Sequence, residues 1–112
     1  MKLLPTQLAK VLACTFATAL LAAAPLTVHA NNALAQKKGC LGCHAAAMKL
    51  VGPSYQAVAA KYAGQPDAKE MLALSIRNGG AGKWGDMPMP PQAQLSAADA
   101  KKLAAWILSG PK

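Results

Sequence analysis

Cys40-Leu41-Gly42-Cys43-His44 is the stretch on which the reading of this chain turns. It sets two thiols three positions apart and an imidazole beside the second. Within one turn of backbone, such thiols reach two vinyl groups on one edge of a porphyrin and form thioethers, and the adjacent His comes under the ring to coordinate iron. Three other uses of these residues are weaker. A redox dithiol calls for a thioredoxin-like βαβ context, and no stretch alternates with period two for long enough to be a strand. A disulfide across two residues closes too short a loop to stabilise much chain. A zinc site needs four ligands, and past residue 30 the chain holds no further Cys or His. The motif predicts one covalently attached haem c, with Cys40 and Cys43 as attachment points and His44 as an axial iron ligand.

Composition points the same way. The chain has 112 residues, which bounds it to one domain and excludes a catalytic domain with a separate cofactor domain. Much of its 54% apolar content sits in the first 30 residues, 20 of which are apolar. The remaining 82 contain 18 Ala, two Trp, two Tyr and no Phe. A domain of that size buries only about 60–65% of its unfolded surface, and with so few large side chains it needs a staple or a prosthetic group that acts as core.

Residues 1–30 have the pattern of an export signal. Lys2 and Lys10 form a short basic start, Val11 to Ala24 is an uncharged apolar run, Pro25 interrupts it, and Val28-His29-Ala30 puts small residues at the −3 and −1 positions of a cleavage site. The competing reading is an uncleaved membrane anchor; the Pro and the cleavage-like end favour removal, with no stable membrane insertion afterwards. Cys14 reads as an ordinary residue of the signal, since Leu12 poorly suits a lipidation site. The expected organisation is a signal peptide over 1–30 and one domain over 31–112. Without the signal, ten basic and four acidic residues remain, a charge of +6. Export argues against a nucleic-acid partner, and Lys37-Lys38 and Lys101-Lys102 are the densest basic clusters. An acidic protein partner, an anionic membrane surface and a merely solvated positive surface all stay open.

Four helical stretches are expected around Gly/Pro-rich loops. Ala33 to Lys38 leads into Gly39. Ser54 to Tyr62 puts Tyr55, Val58, Ala59 and Tyr62 on one face. A third helix starts near Pro66, with Asp67 and Glu70 in its first turn, and stops at Asn78-Gly79-Gly80. A fourth starts at Ser96-Ala97-Ala98-Asp99, which resembles a capping box, carries Leu103, Trp106 and Ile107 on one stripe, and closes at Gly110-Pro111. The fold class is all-α.

Between the last two helices, residues 79–94 hold four Gly and three Pro with no helical period. An irregular loop of that length in so small a domain is functional or disordered, and Trp84, Met87 and Met89 favour function. What fills the iron's second axial position decides between gas or peroxide chemistry and simple electron transfer. Met48 lies too near His44 in sequence to reach the far face, and Met71 sits on an amphipathic helix where core packing is the usual role. Met87 and Met89 both sit in the loop. Met89, between Pro88 and Pro90-Pro91, is presented by the stiffer backbone.

Cys40-Leu41-Gly42-Cys43-His44, Val51-Gly52-Pro53 and Trp84-Gly85-Asp86-Met87-Pro88-Met89-Pro90-Pro91 together resemble the short class I bacterial cytochromes c, over essentially the whole chain after the signal. That resemblance implies about four short helices wrapped around one haem, with His44 and Met89 as axial ligands. It implies that the Pro53 carbonyl accepts a hydrogen bond from His44, and that Trp84 bonds a haem propionate. It further implies a monomeric periplasmic electron carrier, not an enzyme, serving acidic-surfaced redox proteins: a respiratory donor complex, and a nitrite reductase of denitrification or a terminal oxidase as acceptor. Two departures stand out. The family's propionate-binding Arg corresponds to Ser75, with Arg77 nearby, and an aromatic of the first helix corresponds to Ala35, which predicts looser packing against Leu103, Trp106 and Ile107. A haem enzyme or gas sensor with a labile distal Met, and a permanent haem subunit of a larger oxidoreductase, are the alternatives.

Overall fold

The structure is a computed structural model that describes the backbone over 27–112 and side chains over 31–112. The expected signal sequence therefore lies outside the described residues, apart from the backbone of its last four. In chain order the elements are α1 (Thr27–Lys37), a short 3-10 turn (Cys40–Gly42), α2 (Tyr55–Tyr62), α3 (Ala68–Asn78) and α4 (Ala97–Leu108). No strand occurs among the described residues; an isolated antiparallel bridge pairs Gly80 with Met89. None of the described helices is long and apolar enough to cross a membrane.

The helix ends follow their local chemistry. Ser54 Oγ accepts from Ala57 N at 3.1 Å, and Ser96 Oγ accepts from Asp99 N at 3.0 Å, so each Ser caps its helix. Each such cap stabilises a helix by about 1 kcal/mol. α3 begins one residue after Asp67, whose side chain makes no cap bond, and stops at Gly79 with φ 66°. α1 starts six residues before the expected Ala33. No Gly or Pro lies between residues 26 and 38, so nothing in the sequence stops the helix from extending N-terminally.

α4 is the central packing element, lying against α1, α2 and α3. Its Ala100, Leu103, Ala104, Trp106 and Ile107 are buried, together with Tyr55, Val58 and Tyr62 of α2 and Leu72, Ala73 and Ile76 of α3. Ala35 is 0% exposed within this cluster. The position expected to leave α1 loosely packed is closed off from solvent, in one cluster with the buried Ala100 and Ala104 of α4.

The 79–94 loop is tied back at one point. Gly80 N donates to Met89 O at 3.0 Å and Met89 N donates to Gly80 O at 2.8 Å. Immediately before it, Gly79 combines a positive φ with close backbone approach: a Cβ there would meet Pro91 N at 2.7 Å and Pro90 C at 2.8 Å, as well as Met89 O. A side chain at this position is strained by conformation and by contact together. Gly79→Ala is expected to break the bridge, with amide hydrogen exchange at Met89 accelerating at least tenfold while Leu103 in α4 keeps its protection. Unchanged protection at Met89 would contradict this account of the loop.

Candidate functional site

Cys40, Cys43 and His44 occupy one tight turn. Cys43 N and His44 N both donate to Cys40 O, at 3.1 and 3.0 Å, and Gly39 enters the turn with φ 78°. Cys40 is half-buried and Cys43 exposed, and neither is in a disulfide. Burial, reinforced by the neighbouring Cys43, pushes the Cys40 thiol above its ordinary range. A reactive redox dithiol depends on a lowered thiol pKa, so the dithiol reading has no support here.

The imidazole of His44 is fixed from three sides. Its Nδ1 is 2.8 Å from Pro53 O; a carbonyl only accepts, so Nδ1 carries the proton and Nε2 keeps its lone pair. Gly52 lies against the ring, where a Cβ would meet Nδ1 at 2.8 Å and Nε2 at 3.0 Å. The Tyr55 ring stacks on the imidazole at 5.5 Å between centroids and 19° between planes. The Pro53 contact was expected from the resemblance. The roles of Gly52 and Tyr55 were not: Gly52 stood in a quoted motif without an assigned contact, and Tyr55 counted only as one apolar position on α2. The signal for Gly52 was the Gly-Pro pair itself, a turn dipeptide placed eight residues after the His expected to ligate iron.

These residues open onto one cleft with predominantly apolar walls, lined by Cys40, Cys43, His44 and Pro53 on one side and by Trp84, Met87 and Met89 from the loop on the other. All six residues singled out as site residues (Cys40, Cys43, His44, Pro53, Trp84, Met89) thus meet at one place. Met48 and Met71 do not line it and are 66% and 44% exposed. The two loop methionines differ: Met89 is half-buried and held by the bridge to Gly80, whereas Met87 is 66% exposed. Tyr55 Oη is buried without a hydrogen-bond partner, and burial raises its pKa well above the usual phenol range. Two thiols on one turn can take a haem's two thioether links, the imidazole with Nε2 free can ligate its iron, and a Met thioether stands on the facing loop. The cleft fits that group. No cluster of three His, Cys, Asp or Glu among the described residues could by itself hold a metal ion.

Comparison with known proteins agrees. The cytochrome c family profile matches residues 29–111. Cytochrome c-552 of Hydrogenobacter thermophilus is 55% identical over 80 residues, covering 71% of this chain and 81% of that protein. Cytochrome c-551 of Pseudomonas aeruginosa is 53% identical over 76 residues, covering 68% and 72% respectively. The crystal structure of Nitrosomonas europaea cytochrome c552 superposes with a TM-score of 0.69 at 48% identity, covering 70% of this chain and 98% of that one. The chain belongs to the cytochrome c family, among the small class I monohaem proteins that carry one covalently attached haem c and transfer electrons.

Proposed function

We propose that the chain is a soluble periplasmic electron carrier whose haem iron is ligated by His44 and Met89, with Cys40 and Cys43 as the thioether attachments. The observation that carries this reading is that His44 and Met89 line one cleft and are each fixed through the backbone, one by Pro53 O and the other by the bridge to Gly80. When bound, the haem supplies a reversible Fe(III)/Fe(II) couple, and Met/His ligation raises its potential relative to bis-His ligation. The protein's part is to hold still. Pro53 and Tyr55 keep the imidazole in one tautomer and orientation, and Gly80 keeps the weak thioether donor of Met89 from wandering. With His44 and Met89 both on the iron, neither face would be left open for substrate, and such a protein would act as a carrier and not as an enzyme.

Cys43 and the apolar Leu41, Val51 and Met87 are exposed around the attachment turn and the cleft. Lys37 and Lys38 flank a second depression that reaches Cys40. Such a surface suits docking of an acidic redox protein that receives or delivers the electron at the thioether edge. A respiratory complex as donor and a nitrite reductase or terminal oxidase as acceptor fit this reading, and the carrier acts as a monomer.

Residues 1–30 are the export signal of this reading and 31–112 the carrier domain. Cleavage after Ala30 leaves Asn31-Asn32 at the start of α1, and Asn is among the best helix-capping residues. Mass spectrometry of the periplasmic protein should find a chain that begins at Asn31 and carries one haem through acid–acetone extraction. A membrane-bound species that retains residues 1–30, or haem that extracts freely, contradicts it.

Replacement of Met89 by Ala should abolish the iron–sulfur charge-transfer band in the near infrared, lower the reduction potential and open the reduced protein to carbon monoxide. Met87→Ala should keep the band. If the unaltered protein binds carbon monoxide readily and the band survives Met89→Ala, the axial assignment is wrong and a sensor or enzyme takes the carrier's place.

A further inference from the structure

The charge of the cleft is uneven in a way that iron ligation does not use. Among the described residues lining it, Lys83 is the one Lys or Arg. Its Nζ donates to Tyr62 Oη at 3.1 Å and lies 5.8 Å from the centre of the same ring. Tyr62 is 4% exposed and lines the cleft as well. The backbone at this point is held by a second lysine: Lys61 Nζ donates to Lys83 O at 3.4 Å and sits 4.7 Å above the ring of Trp84. Ion pairs among the described residues join Lys69 to Glu70 and Lys102 to Asp99, so none of them neutralises Lys83. Asp86, on the same loop, does not line the cleft.

Lys83 also stands at a defined place along α2. Tyr55, stacked on His44, and Tyr62, bonded to Lys83, are seven residues apart, about 10 Å along the axis at 1.5 Å per residue. A haem attached through its vinyl groups carries its two propionates on the opposite edge of the ring. The end of the cleft away from the attachment turn must therefore accept two carboxylates beside otherwise apolar walls, and unpaired carboxylates there are costly. The cation that the family resemblance implies for this task is missing, because Ser75 lines the cleft in its place and Arg77 does not line it.

We propose that Lys83 supplies the positive charge facing the haem propionates, in place of the cation absent at Ser75, with Tyr62 and Lys61 as the groups that position it. This rests on the attachment through Cys40 and Cys43 proposed above. A fixed ammonium beside the propionates offsets their negative charge and so disfavours the more positive ferric state, which raises the reduction potential. Lys83 is the residue to vary because it is a point charge on an exposed stem, and Lys83→Arg, which keeps a cation there, separates loss of charge from loss of the side chain that meets Tyr62.

The test uses full holoproteins carrying Lys83→Gln, Lys83→Arg or Lys69→Gln, the last removing the same charge from α3 outside the cleft. The readouts are the reduction potential and the propionate bending band in resonance Raman. Lys83→Gln should lower the potential and displace the band, Lys83→Arg should keep both near the unaltered values, and Lys69→Gln should leave the band where it was. Adding Ser75→Arg to Lys83→Gln should bring the potential back up. A propionate band unmoved by Lys83→Gln, or a potential shift no larger than that of Lys69→Gln, overturns the proposal. The near-infrared iron–sulfur band of the same samples reports on Met89 independently, so a failure of the ligation reading and a failure at Lys83 are separately visible.

Discussion

The bond from His44 Nδ1–H to the Pro53 carbonyl is the contact on which the site depends. At 2.8 Å it admits one tautomer and so leaves Nε2 as the free donor. A single such bond is worth only about 0.5–1.5 kcal/mol net, too little to hold the imidazole alone. It persists because the chain around it is over-determined. Gly52 N donates back to Cys43 O at 2.8 Å, and Tyr55 N and Gln56 N each donate to the residues after His44, Ala45 and Ala46, at 3.0 Å. The segment from the attachment turn to the start of α2 is thereby laced to itself. The absence of a Cβ at Gly52 lets the ring lie against that lacing.

The facing wall solves a different problem. A thioether is a neutral, weak donor, so under the proposed ligation by Met89 its position has to come from the backbone that carries it and not from its own attraction to a metal. Residues 79–94 provide this with very little regular structure. The two-bond bridge between Gly80 and Met89 ties the loop to the end of α3, and Pro88, Pro90 and Pro91 restrict the backbone on either side. The crossed contacts of Lys61 with Trp84 and of Lys83 with Tyr62 tie the stretch between the bridged residues to α2. Each cation–π contact at such an exposed position contributes about 0.5–1 kcal/mol. Together they connect the loop to a second helix, so that it is anchored at two points.

How much of this was legible beforehand depended on whether the determining contact was local. The caps at Ser54 and Ser96, the stops at Gly79 and Gly110, and the attachment turn all depend on residues within a few positions of one another, and these were readable. The start of α1 was not, because the absence of a helix breaker marks no boundary. Nor was the Gly80–Met89 bridge, which pairs residues nine apart through backbone atoms common to every sequence. The role of Gly52 lay between the two. The Gly-Pro turn was evident, but the imidazole that excludes a Cβ comes from eight residues earlier. At Ala35 the loss of an aromatic suggested looser packing; the fold closes that position off from solvent in one cluster with Ala100 and Ala104, which the sequence of α1 alone does not show.

The thin core foreseen from composition has a consequence for how stability and function are related in this chain. Tyr55, Val58, Tyr62, Leu72, Ile76, Leu103 and Ile107 are all buried, and every one of them also lines the cleft. Helix packing and cofactor binding therefore share the same side chains, with one edge of each turned toward its helical neighbours and another toward the cleft. Trp106 meets Tyr55 edge-on at 5.0 Å, and Tyr55 in turn stacks on His44, so the path from α4 to the His44 imidazole is two ring contacts long. In a larger domain an aliphatic core residue can be altered with the active site left untouched, because other layers intervene. Here no layer intervenes. Any change in the volume of Leu103 or Ile107 acts on the helix bundle and on the cleft wall at once, and selection on the redox site and selection on the fold operate on the same residues.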